Sequence, residues 1–107
     1  MVAILNHAIL VTTMQISQLI WNENIIEHLA RHNVLTEEVE EVCFDQPLIV
    51  KSKQTVKGVN QAYYALGQTV AGRYLFIMIV YFKQGRAMVV TARDMDQAER
   101  KYYQRRY

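Results

Sequence analysis

The apolar positions change period twice along the chain, and each change marks a new kind of element. Residues 16–21 (Ile-Ser-Gln-Leu-Ile-Trp) read as a short strand. Asn22 then suits a helix N-cap, with Glu23 at the positive end of the helix dipole. Ile25, Ile26, Leu29 and Ala30 make an apolar stripe at helical spacing, and Asn33 suits the left-handed residue that ends such a helix. Thr36 is the expected cap of a second helix, with Glu37 and Glu38 in its first turn and Val39, Val42 and Cys43 on its buried side. Asp45-Gln46-Pro47 stops it, because proline disfavours helix in the residue before it.

After Pro47 the period becomes that of strands. Leu48–Val50 reads as a strand, residues 51–60 as a basic polar loop, and Ala62–Leu66 as a second strand. Residues 67–72 read as a turn. Tyr74–Phe82 is apolar on both faces, as in a central strand. Lys83–Arg86 is a glycine-bearing hairpin turn, followed by a strand over Ala87–Ala92. Asp96 and Glu99 have capping-box spacing and open a basic helix to about Arg105, with Ala98 and Tyr102 expected on its inner side. The order β-α-α-β-β-β-β-α predicts an α+β fold: two N-terminal helices, a four- to five-stranded antiparallel sheet and a C-terminal helix, with the helices on one face. Residues 16–107 are expected to form a single domain. Residues 1–15 are an extension that the pattern leaves open between an optional arm, a displaced start and an extra strand.

At 107 residues the chain can bury a core without disulfides. Its lone Cys43 excludes an internal disulfide and a multi-cysteine zinc site, and fits a reducing cytoplasmic setting. The longest apolar run, Tyr74–Phe82, is far short of a membrane span, so no membrane partner is expected.

The net charge of +2 conceals two opposed halves. Residues 1–50 carry Arg31 against seven carboxylates, a net of −6; residues 51–107 carry eleven Lys and Arg against three carboxylates, a net of +8. A basic half of this kind points to a phosphate-bearing or acidic partner, unless folding mixes the charges.

Three stretches then carry a family resemblance. They are Ile20–Val34, with Trp21 and the helix histidine His28; Glu37–Val42 with Phe44–Pro47; and Gly67-Gln68-Thr69 with Gly72–Leu75, closing in Thr91–Met95, Glu99-Arg100 and Tyr103. Together they resemble the BrnT-like branch of the RelE/ParE superfamily over roughly residues 16–106. The resemblance implies a RelE-like fold and a bacterial ribonuclease toxin of a type II toxin–antitoxin pair, held inactive by a DNA-binding antitoxin. Asn24, Ile25 and Ile26 stand where the family usually has a lysine. Ala62 stands where a basic residue is common, and Asn33 replaces a glycine. The missing basic positions favour an alternative, a non-catalytic RNA- or protein-binding module on the same fold.

Metal-independent RNA cleavage needs a base for the ribose 2′-OH, a cation for the phosphorane and an acid for the leaving oxygen. Arg93 is the first candidate, since its guanidinium can fork onto phosphate and it carries the family pattern; a salt bridge to Asp94, Asp96 or Glu99 is its structural alternative. Arg73 joins it as a catalytic candidate. His28 and His32 can move protons near neutral pH, or simply hydrogen-bond near a helix end. Their spacing also suits two metal ligands, but no third ligand is in view, so neither metal nor cofactor is expected. Tyr103 can supply a proton or stack on a base. Arg86, Lys83, Arg100, Lys51 and Lys53 are the RNA-binding candidates, with Lys57 in the same basic segment. Self-association through an open sheet face, as a homodimer, is a third reading of the chain.

Overall fold

The computed structural model describes residues 9–11, 14–58 and 60–106. Its elements are β1 (Ile9–Val11), β2 (Gln18–Ile20), α1 (Glu23–Arg31), α2 (Thr36–Cys43), β3 (Leu48–Val56), β4 (Asn60–Gln68), β5 (Tyr74–Tyr81), β6 (Arg86–Asp94) and α3 (Gln97–Arg106). The α+β class and the five strands from Gln18 onward follow the apolar pattern. β1 adds a sixth at one edge, giving the order β1-β3-β4-β5-β6-β2.

The expectation of a purely antiparallel sheet is corrected. β2 pairs with β6 in parallel, Gln18 opposite Arg86 and Ile20 opposite Met88. The docking point is the β5–β6 hairpin tip, where the Gly85 carbonyl accepts the N–H groups of Ser17 (2.8 Å) and Gln18 (3.2 Å). Gly85 has φ +76°, and a Cβ there would collide with Ser17 Oγ, so this contact needs a residue without a side chain. Strand direction was invisible in the sequence because β2 meets β6 only after two helices and three strands have intervened.

Residues 51–60 are also corrected: Lys51–Val56 and Asn60 are strand. β3 runs on to Val56 and β4 starts at Asn60, with a register shift between Lys51 and Thr55. Lys57 (φ 55°) and Gly58 (φ 75°) turn the hairpin. The polar side chains hid this arm, since strand pairing is a backbone property that only the buried face advertises.

The helices cover both faces of the sheet rather than one. Ile25, Leu29, Val39, Val42 and Cys43 of α1 and α2 pack on Ile49, Ala65, Leu75, Ile77, Ile79 and Val89. Gly67 lets α2 approach β4, where a Cβ would stand 2.7 Å from Val42 Cγ1. On the other face, Tyr103 of α3 packs with Leu48, Val50, Tyr64, Leu66, Phe76 and Met95. The inner side of α3 is therefore Glu99 and Tyr103, one residue round from the expected Ala98 and Tyr102, which are half-buried. Burial pushes the Cys43 thiol up to about 12.

Capping matches the sequence at α1, where Asn22 Oδ1 accepts the Ile25 N–H at 2.9 Å, and at Asn33, whose φ is 56°. At α2 it differs. Leu35 holds the cap position, its N–H donating to Glu38 Oε1 at 3.0 Å, and Thr36 is the first helical residue. Of the expected apolar stripe on α1, Ile26 and Ala30 stay exposed.

Candidate functional site

The histidine on α1 is placed by the helix cap below it and the sheet edge beside it. The Asn22 cap fixes the helix start, and His28 follows on the flank that faces β6. His28 Nε2 lies 3.0 Å from Thr91 Oγ1, so one ring nitrogen is engaged and the imidazole is held in orientation. His32, one turn on, meets the His28 ring edge-on at a centroid distance of 4.9 Å. β2 pairs only with residues 86–88 of β6, which leaves the later part of β6 to α1.

A register shift falls next to this contact. Ile79 faces Val89 while Met78 faces Thr91, so Val90 is an extra residue. Such bulges bend a strand and redirect side chains. Val90 lines an open cleft of about 560 Å³ together with Asn22, Asn24, Glu27, His28, Arg31 and Lys57. Lys57 comes from the β3–β4 hairpin tip, far from α1 in sequence. Arg31 meets Glu27 at 3.6 Å with both side chains largely exposed, a contact worth little in water. Among the described residues, no carboxylate pairs with Lys57.

The two leading arginines are differently occupied. Arg93 forks onto Glu99, with both bonds at 2.8 Å, donates to the Asp94 carbonyl and stacks over the Phe76 ring at 4.2 Å. Glu99 has no exposed surface and also closes the capping box: it accepts the Asp96 N–H, and Asp96 Oδ1 accepts the Glu99 N–H. The Glu99 hydrogen bonds raise the Arg93 pKa above its ordinary value. Arg73 donates to both Asp94 oxygens (2.6 and 3.2 Å), to Glu38 (3.0 Å) and to the Asn33 carbonyl (2.7 Å). Its hydrogen bond holds Asp94 below the usual carboxylate range. Arg73 thus ties the α1–α2 turn to the ends of β5 and β6.

The remaining candidates are scattered. Tyr103 is buried, its ring 6.0 Å from Tyr74 in an edge-to-face contact. Arg100 lies over Tyr74 and Arg106 over Tyr102, at 4.2 and 3.7 Å. Gln104 and then Arg100 hold the Tyr74 phenol below its ordinary pKa. Lys51 and Lys53 are exposed on β3, Lys83 on the β5–β6 turn and Arg86 at the start of β6, away from the cleft lining. His28 and His32 are thus brought together. Arg93 belongs to the same strand as Thr91, two residues on, and Arg86 begins that strand, five residues before Thr91, whereas Arg73 and Tyr103 belong to other elements. Thr91 and Arg31, which complete the His28 surroundings, lie in the stretches that carry the resemblance but were not singled out as site residues, and only the hairpin path brings Lys57 to them. Among the described residues no cluster of three His, Cys, Asp or Glu is placed to hold a metal, and no helix is long and apolar enough to cross a membrane.

A family model for BrnT, described as the ribonuclease toxin of a type II toxin–antitoxin system, matches residues 21–99. No individual curated protein matches the chain. The matched span includes Trp21, His28, Lys57, Arg93 and Glu99, while Tyr103 falls beyond it. It covers well over half of the sequence, and the chain belongs to the BrnT family of ribonuclease toxins, whose members work against RNA and are paired with an antitoxin.

Proposed function

We propose that this protein is a metal-independent endoribonuclease and that RNA is cut in the cleft between α1, the β3–β4 tip and β6. The observation that carries this reading is His28, oriented by Thr91 at the wall of an open cleft that also presents Lys57 and Arg31. One histidine takes the proton from a ribose 2′-OH, whose oxygen attacks the adjacent phosphorus. The bond to the 5′-oxygen breaks, and a second proton donor protonates that oxygen, leaving a 2′,3′-cyclic phosphate. His28 is assigned the first transfer and His32, against its ring, the second. Lys57 and Arg31 supply positive charge where the phosphorane becomes more negative. Arg93 is assigned the positioning of β6, through its fork onto the buried Glu99. The partner antitoxin is expected to bind DNA, and the protein to act in the cytoplasm of a bacterium.

The test uses purified protein with single-stranded RNA in EDTA. Cleavage to cyclic-phosphate ends, lost in His28→Ala with folding unchanged, supports the reading. RNA that is bound but left intact by the wild type favours the non-catalytic binding module, which the absent family lysine near Asn24 also suggests.

A further inference from the structure

The outer side of α1 and the start of α2 enclose a second depression, of about 600 Å³, lined by Ile26, Ala30, Val34, Leu35, Glu37 and Arg73. Two of its apolar members are open, Ile26 at 47% exposure and Leu35 at 61%, while Val34 is buried beneath them. Ile26 and Ala30 stand one turn apart on α1 and form a ridge. Glu37 and Glu38 lie on its rim, and α2 carries Glu40 and Glu41 beyond it, with no cation in its eight residues; Glu41 accepts the Val70 N–H at 3.1 Å. Glu38 is committed to Arg73, but among the described residues no Lys or Arg pairs with Glu37, Glu40 or Glu41. Glu40 and Glu41 also sit near the negative end of the helix dipole, where carboxylates are unfavourable and an outside cation is welcome.

We propose that this groove is the docking surface of the antitoxin, and that it takes a basic amphipathic helix from that partner. Apolar side chains of the helix seat between Ile26, Ala30 and Leu35, while its Lys and Arg meet the α2 glutamates. RNA does not fit, because the same glutamates repel phosphate. A second copy does not fit through its own basic helix either. The apolar side of α3 is already buried in the sheet, and Arg100 and Arg106 lie on Tyr74 and Tyr102. Residues 27, 28 and 31 face the cleft while 26 and 30 face the groove, so a docked helix stands about one helix diameter (roughly 10 Å) from His28. The proposal rests on the toxin reading for its partner, not on where RNA is cut.

The probe is a synthetic Leu/Lys amphipathic helix of about 14 residues (four turns), titrated into the isotope-labelled full chain and followed by NMR. Shifts concentrated at Ile26, Ala30, Leu35 and α2 are expected. Leu35→Asp, and separately Glu37→Lys with Glu40→Lys, should each weaken binding about tenfold or more, roughly 1.4 kcal/mol. Circular dichroism checks that these substitutions, at exposed Leu35 and Glu37 and half-buried Glu40, leave the fold intact. No binding, shifts centred on α3 or the cleft, affinity unchanged in the variants, or the same groove shifted by an RNA oligonucleotide would each overturn the proposal. So would self-association that disappears with Leu35→Asp, since a second copy would then be the occupant. RNA cleavage is measured on the same samples. Docking without cleavage leaves the groove standing and removes the nuclease reading; cleavage without docking does the reverse.

Discussion

Positive charge serves two purposes in this molecule, and two places on β6, its end and its bulge, separate them. At the end of β6, Arg93 and Arg73, which precedes β5, spend their donors on Glu99, Asp94, Glu38 and backbone carbonyls. Beside its bulge, Lys57 and Arg31 stand around His28 with little to neutralise them. The first is built to hold strands and helices together. The second is built to receive something from solution. A guanidinium in a family pattern is therefore not by itself a substrate-binding group; what decides is whether the fold has already used its hydrogen bonds.

The largest expected effects break this contrast from the structural side. Arg93→Ala leaves the Glu99 carboxylate buried without its partner and should destabilise the protein by about 3 kcal/mol or more in urea unfolding. Replacing both residues, as Arg93→Met with Glu99→Met, removes the orphaned charge and should recover most of that loss, less about 1 kcal/mol for the capping box. The double variant separates folding from chemistry, because a positioning role for Arg93 lets it keep cutting RNA once it folds.

His28→Ala attacks the other place. It should slow cleavage by about 100-fold or more while moving stability by under about 1 kcal/mol. With two histidines passing protons, the rate should follow a bell-shaped pH profile, and either histidine variant should remove one limb of it.

Alkaline pH probes the core beneath α2. Burial raises the folded Cys43 thiol from its ordinary 9.0 to about 12. Its contribution to stability is complete below pH 9 and is lost as pH rises from there through about 12, because the unfolded chain then ionises first. The loss is on the order of 1 kcal/mol per pH unit in that window. Cys43→Ala should lack this part of the decline. The smallest effect belongs to Lys57→Ala, which should weaken RNA binding several-fold and lower its salt dependence by about 0.7 in logarithmic slope, as for one phosphate contact on a single strand.

Most of the fold was legible because local rules and burial agreed. Asn22, Asn33, the Asp96–Glu99 box and the apolar run of β5 each announce their element. What was hidden depended on partners distant in sequence. The parallel seat of β2 rests on Gly85 of a remote turn, and the Lys57 arm is strand only because its backbone is paired. The candidate site follows the same division. His28 and His32 could be read as neighbours from helical spacing, and the Arg93–Glu99 bridge was one of the alternatives visible beforehand. That Lys57 and Thr91 surround the histidine follows from a bulge and a hairpin path, which no local pattern encodes.

The central claim is that RNA is cut beside His28 and not at the arginine bridge. It is tested most directly by single-turnover cleavage of one RNA, in EDTA, by the wild type, His28→Ala and the Arg93→Met, Glu99→Met pair, each shown to be folded. The account predicts cleavage by the wild type and the double variant and none by His28→Ala. Cleavage by His28→Ala at the wild-type rate, with loss in the folded double variant, would contradict it and return the chemistry to Arg93.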